Sequence, residues 1–131
     1  MTKQFEIYKC EICGNIVEVL FEGEGELVCC GEIMELQEEK LSDPETGEKH
    51  VPVFEKNEVG ETMVKVGSIE HPMLPEHHIQ LIEVFTNDGI LRKYLKPFEK
   101  PEFLVKLKEG LKHAREYCNI HGLWKGENNV N

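Results

Sequence analysis

The sequence predicts an all-β chain in two parts: a small metal-stapled domain, then a sandwich or barrel of short strands. Three observations predict it. Four of the five cysteines lie between Cys10 and Cys30. From Val51 onward, short runs rich in β-branched residues recur with turn signals between them, at roughly ten-residue spacing, as in sandwiches and barrels. Asn87-Asp88-Gly89 separates two of these runs and is a strong hairpin signal.

The elements follow in order. Ile16-Val17-Glu18-Val19-Leu20-Phe21 and Glu26-Leu27-Val28-Cys29 are short and apolar, and read as strands around a metal. A segment of about 40 residues cannot bury a self-sufficient core and needs a staple. Leu41-Ser42-Asp43-Pro44-Glu45-Thr46-Gly47 is rich in turn formers, and the division of the chain is expected near it. Val51–Phe54, Thr62–Val66, Ile79–Phe85 and Ile90–Leu95 read as strands. Between Phe103 and Tyr117 the pattern is ambiguous: Leu104, Leu107 and Leu111 have helical spacing, but Gly110 interrupts them.

Composition excludes several classes. The chain has 131 residues, 15 Lys and Arg, 25 Asp and Glu, and a formal charge of −10. A nucleic-acid binder needs a basic footprint over phosphates, and this chain is acidic. No apolar run approaches the roughly 18 residues of a membrane helix. The first residues show no charged-then-apolar signal pattern, so a cytoplasmic location is expected. In that compartment clustered cysteines read as a metal site before disulfides.

Cys10-Glu11-Ile12-Cys13 is a C-x-x-C knuckle, whose two thiolates can grip one ion while the backbone turns around it. Cys29 and Cys30 are adjacent. Neighbours in an extended chain point to opposite sides, so both reach one ion only through backbone distortion, and the tetrahedron should be skewed. Sulfur-only ligation suits zinc or iron, and spacing leaves both open.

The remaining cysteine, Cys118, stands three residues before His121, close enough for one metal. His71 and His77 flank a loop stiffened by Pro72 and Pro75, and His50 follows the turn-like Thr46-Gly47-Glu48-Lys49. Several imidazoles with one thiolate would suit iron, copper or zinc. His78, beside His77, and His113, with no partner at ligand spacing, read as surface or structural residues. Met63 and Met73 read as packing residues, and Trp124 as a packing anchor near the site. A protein stapled by zinc or iron that binds or carries electrons, without substrate chemistry, is the competing reading.

Taken together, Cys10-x-x-Cys13 with Cys29-Cys30, Glu48-Lys49-His50-Val51-Pro52-Val53, His71-Pro72-Met73 to His77, and Cys118-Asn119-Ile120-His121-Gly122-Leu123-Trp124 resemble the desulfoferrodoxin family, the two-iron form of superoxide reductase. The resemblance covers nearly the whole chain. It implies a desulforedoxin-like domain over residues 1–38, with Cys10, Cys13, Cys29 and Cys30 on a first iron. It implies an immunoglobulin-like β-sandwich over residues 39–131, which favours strands and loops for 103–117. There His50, His71, His77 and His121 would be equatorial ligands and Cys118 the axial ligand of a second iron, with His121 bound through its other ring nitrogen. The implied activity is one-electron reduction of superoxide to hydrogen peroxide at the ferrous His4Cys site. A small electron-transfer protein such as rubredoxin would re-reduce it, the chain being commonly a homodimer.

The implied chemistry fits the residue types. Five protein ligands leave one octahedral position for a small anion, and a thiolate opposite it pushes electron density through the metal, as in haem–thiolate enzymes. Backbone donors from Ile120 or His121 would tune that thiolate. Superoxide is an anion approaching an acidic protein, so Lys49, beside His50, is expected to steer it in and to orient a proton-donating water. Glu48 matches the family's glutamate that can occupy the open position of the oxidised iron.

Overall fold

The structure, a computed structural model, describes residues 1–130. The chain divides into two compact units, Met1–Glu38 and the remainder from Glu39. In the first unit, β1 (Ile7–Lys9) lies antiparallel between β2 (Ile16–Glu18) and β5 (Glu35–Gln37), and β3 (Val28–Cys29) pairs with β4 (Glu32–Ile33) as a separate hairpin. Its buried apolar side chains are Ile7, Cys10, Val19 and Met34, whereas Leu20, Phe21, Val28 and Ile33 are exposed. So small an apolar core needs a cross-link to hold it. The expected strand from Ile16 to Phe21 is shorter than its apolar run: Val19 bonds to Phe5 and Glu6 beyond the ladder, and the chain bends at Leu20 and Phe21.

The second unit opens with one helical turn, α1 (Gly47–His50), which the sequence reading did not foresee. The stretch read as a linker is an ordered lead-in to it: Asp43 Oδ1 accepts the N–H groups of Glu45 (2.8 Å) and Thr46 (3.0 Å). Those donors hold the Asp43 carboxyl below its usual range.

Two antiparallel sheets follow. One has the order β10 (Glu102–Val105), β7 (Thr62–Val66), β6 (Pro52–Lys56). The other has the order β12 (Gly122–Glu127), β11 (Leu111–Cys118), β8 (Ile79–Thr86), β9 (Ile90–Tyr94). Alternation sets the faces: Thr62, Val64 and Val66 of β7 point inward, while Met63 and Lys65 are half-buried. Phe54, Val64, Val66, Ile79, Ile82, Val84, Leu111, Ala114 and Cys118 form one core between the sheets. The expected hairpin joins β8 to β9, closed by Thr86 N–H on the Gly89 carbonyl at 2.8 Å. The ambiguous stretch is strand, turn, strand, with Gly110 at φ +85° in the turn between β10 and β11. On the face of the sheet away from Ala114 and Cys118, the Glu83 carboxylate takes two bonds from Arg115 (3.1 and 2.7 Å) and two from Arg92 (3.0 and 2.6 Å). These charge-assisted pairs fix the register of β8 against both neighbours.

Candidate metal centres

The four-cysteine group is built by two turns. Gly14, at φ +86°, closes the knuckle with its N–H on the Cys10 carbonyl (2.9 Å), and Cys13 N–H points at Cys10 Sγ (3.5 Å). The second turn is the two-residue β3–β4 loop, Cys30-Gly31, with φ +53° and +77°. A type I′ hairpin turn demands positive φ at both central residues, and here a cysteine accepts that strain. This is the backbone distortion that adjacency requires. The sulfurs lie 3.6 Å apart for Cys13 and Cys29 and 4.0 Å for Cys29 and Cys30. An ideal tetrahedron with metal–sulfur bonds of about 2.3 Å has edges of about 3.8 Å, so the group fits one ion with an uneven edge set. Backbone N–H groups draw the Cys10 thiol down to about 7, led by that of Cys13, while the neighbouring sulfurs push Cys30 up to about 12.

The second group gathers His50, His71, His77, Cys118 and His121, whose ligating atoms all lie within 4.8 Å of one another. His50 ends α1, His71 and His77 come from the β7–β8 loop, Cys118 ends β11 and His121 stands in the turn to β12. The imidazoles stand edge to face in a closed ring. Centroids are 4.6 Å apart for His50–His71, 4.7 Å for His71–His77, 5.0 Å for His77–His121 and 4.7 Å for His121–His50. Cys118 Sγ lies 3.5 Å from His71 Nε2 and 3.9 Å from His121 Nδ1.

Protons decide what this ring can hold. His50 Nδ1 faces the Thr46 carbonyl at 2.8 Å and His71 Nδ1 faces the Pro72 carbonyl at 2.6 Å. A carbonyl only accepts, so each Nδ1 carries the hydrogen and each Nε2 presents a lone pair. Burial holds His50 and His77 below the usual imidazole range and takes His71 to about 4. Yet the two Nε2 atoms stand 3.1 Å apart, as do His121 Nδ1 and His50 Nε2. On His50 and His71, where both Nε2 atoms are fixed as acceptors, neutral lone pairs repel at that distance unless a cation lies between them. Metal–nitrogen bonds of about 2.1 Å at right angles put neighbouring nitrogens about 3.0 Å apart. His77 Nε2, buried without any hydrogen-bond partner, is left over for the same purpose. The residues fit a metal, and His121 offers its Nδ1 where the others offer Nε2.

Surrounding groups hold these ligands. Trp124 stacks on His50 (4.6 Å between centroids, 18° between planes), and its Nε1–H donates to the His121 carbonyl at 3.1 Å. Lys40 Nζ donates to the same carbonyl at 2.9 Å. His121 N–H points at Cys118 Sγ at 3.4 Å. Burial raises the Cys118 thiol, and the His121 and Ile120 N–H groups pull it back toward thiolate. Gly67 packs beneath α1, where a Cβ would sit 2.5 Å from the Glu48 carbonyl, so any side chain there would displace the turn carrying His50. Gly67 and the Thr46 and Pro72 carbonyls were missed in the sequence; a lone glycine after a strand was the only signal for the first, and the carbonyls had none.

Glu48 and Lys49 are exposed on α1, and neither belongs to the five-residue group. Lys49 lines one surface pocket with His71, and its charge helps hold the His77 imidazole down. His78 and His113 stay outside the group; His113 stacks on Phe85 at 4.3 Å. Met73 packs in the core.

Glu116, two residues before Cys118, is buried with neither carboxylate oxygen partnered among the described residues, and burial pushes its pKa well above the usual range. Unfolding releases that proton once the pH exceeds the ordinary carboxylate value, so this group's contribution is present at low pH and lost as pH rises. Glu116→Gln is therefore expected to gain stability over the parent as pH rises from about 5, by up to ~1.4 kcal/mol per pH unit. Denaturant midpoints across pH 4–8 check this, and parallel curves for the two proteins would refute it.

Fold and sites define a two-centre non-haem metalloprotein, with one all-sulfur group and one of four imidazoles and a thiolate. Family models match both units: desulfoferrodoxin over residues 42–127, and the desulfoferrodoxin N-terminal domain over residues 2–37. The chain belongs to the desulfoferrodoxin family, whose two irons the two groups match. It is 53% identical over 127 residues to a desulfoferrodoxin of Syntrophotalea carbinolica, covering 97% of this chain and 99% of that one. It is 52% identical over 127 residues to that of Nitratidesulfovibrio vulgaris, with the same coverage. Among solved structures, the superoxide reductase of Treponema pallidum superposes with a TM-score of 0.77 at 29% identity, covering 96% of this chain and all of that one.

Proposed function

We propose that the protein is a superoxide reductase, reducing superoxide to hydrogen peroxide with one electron and two protons. One observation carries the reading. Five donors converge in the second unit, and among the described residues no sixth His, Cys, Asp or Glu donor joins them. A ferrous ion held there would supply the electron and a place for a small anion to bind. His50, His71 and His77 through Nε2, His121 through Nδ1 and Cys118 through Sγ are its ligands. Neutral imidazoles keep the centre's charge low, and the carbonyl bonds of His50 and His71 fix their tautomers and ring planes. The His121 N–H on Cys118 Sγ limits how much density the thiolate gives.

Lys49 draws the anion toward His71 against the −10 background and orients the water that delivers a proton. Glu48, on the same turn, would supply a carboxylate to the oxidised metal between turnovers. The four-cysteine group, on Cys10, Cys13, Cys29 and Cys30, would hold the other iron, either as an electron relay or as the staple of its unit. A small redox protein such as rubredoxin returns the electron. The chain works as a homodimer in the cytoplasm; among the described residues no helix is long and apolar enough to cross a membrane.

Rapid mixing of the reduced protein with superoxide tests the reading. Fast oxidation of the histidine centre with peroxide formed and no dioxygen is expected; dioxygen release would make it a dismutase, and no oxidation a bare electron carrier. Lys49→Ala should slow capture about tenfold at low ionic strength and flatten its salt dependence, with both irons retained. An unchanged salt slope removes the steering role.

A further inference from the structure

Two of the four imidazoles are oriented through their own rings, by the Thr46 and Pro72 carbonyls. His121 is oriented through its main chain, which receives Lys40 Nζ and Trp124 Nε1–H at its carbonyl and donates its N–H to Cys118 Sγ. His77 has neither support. Its N–H and carbonyl are spent on Leu74, at 3.1 and 2.9 Å, closing a tight turn over Pro75-Glu76, and its buried Nε2 has no hydrogen-bond partner among the described residues. Metal-binding histidines ordinarily rely on a partner for the second ring nitrogen, so apart from its edge-to-face contacts with His71 and His121 the His77 ring is placed by its backbone.

That backbone is gripped on both sides by one residue. Asn119 Nδ2 donates to the Glu76 carbonyl at 3.0 Å, Asn119 Oδ1 accepts the His78 N–H at 2.8 Å, and Asn119 N–H donates to the His78 carbonyl at 3.2 Å. Asn119 itself sits between Cys118 and His121. We infer that Asn119 is the positioning residue for His77: it clasps the Pro75-Glu76 turn to the Cys118–His121 turn and so sets one ligand's distance from the other two. The amide is suited to this task because it donates on one side and accepts on the other. Neither aspartate nor leucine could make both bonds. The inference rests on the reading of the five residues as a metal centre.

The test is Co2+ affinity in the full-length protein, by chelator competition, because four-sulfur and nitrogen-rich Co2+ sites have different visible spectra. Asn119→Ala is expected to weaken the histidine centre 10- to 100-fold, the range for lost ligand-orienting partners, with the four-sulfur centre unchanged. In a His77→Ala background the same substitution should have no further effect, since the two act as one unit. Asn119→Asp, which keeps the bond from His78, should lose less and serves if the alanine variant does not fold. Parent-like affinity in Asn119→Ala, or the same loss in both backgrounds, overturns the inference. Failure of the parent chain to take Co2+ at the histidine centre would sink the metal reading itself, and this inference with it.

Discussion

Cys118→Ser is expected to abolish the histidine centre's thiolate-to-metal absorption and lower superoxide reduction at least about a hundredfold. Cys118 is fully buried at the end of β11, and its sulfur is the one soft, anionic donor in a group of neutral imidazoles. Burial alone works against its ionisation, so a bound metal together with the two N–H groups would keep it as thiolate. A serine hydroxyl has a far higher pKa and stays protonated in the same surroundings. The substitution removes little volume, and the fold should survive it. Stopped-flow spectra with superoxide would read both effects, with the four-sulfur band as internal reference. Survival of the histidine-centre band in the serine variant would refute the axial assignment.

Trp124→Ala is expected to cost about 3–5 kcal/mol of stability, the range for deleting a buried aromatic ring. Trp124 is 1% exposed, the largest of the fully buried side chains. One face lies on His50, the Lys40 ammonium stands 5.2 Å from the ring centre, and the indole N–H holds the His121 carbonyl. Its loss thus opens a cavity and frees two ligands together. Trp124→Phe keeps the stacking and loses the donor, and should cost about 1 kcal/mol for the hydrogen bond beyond its packing loss. Because Trp124 is the only tryptophan, unfolding must be followed by circular dichroism. A cost under about 1 kcal/mol for the alanine variant would show that the ring is not the centre's support.

Much of this architecture is legible in the sequence. The four clustered cysteines announce a metal site by themselves, whereas the spacing of Cys118 and His121 only permits one and gains weight jointly with the other motifs. Strands such as Thr62–Val66 announce themselves by alternation, because one face is wet. What stayed hidden depends on tertiary contact. The Asp43 turn uses residues that serve a linker equally well, and the helical turn at Gly47–His50 is too short to leave a periodic trace. The Thr46 and Pro72 carbonyls leave no mark in composition, because every residue has one. Glu116 looked like any strand glutamate; only its neighbours across the sheet, Ile82 and Trp124, show that it is buried. The helical spacing of Leu104, Leu107 and Leu111 carries no helix, since Gly110 reverses the chain between β10 and β11.

The Cys30-Gly31 turn carries a consequence for how this molecule can vary. The cysteines are neighbours because the hairpin allows two residues at its tip, both with left-handed backbone. Lengthening the tip by one residue would rotate every later side chain of that arm to the opposite side. Side chains around the sulfurs can be exchanged outside the left-handed positions Gly14 and Gly31, but spacing these two thiols apart means rebuilding the arm. The lopsided sulfur cage is thus written into chain length, beyond the reach of point mutation.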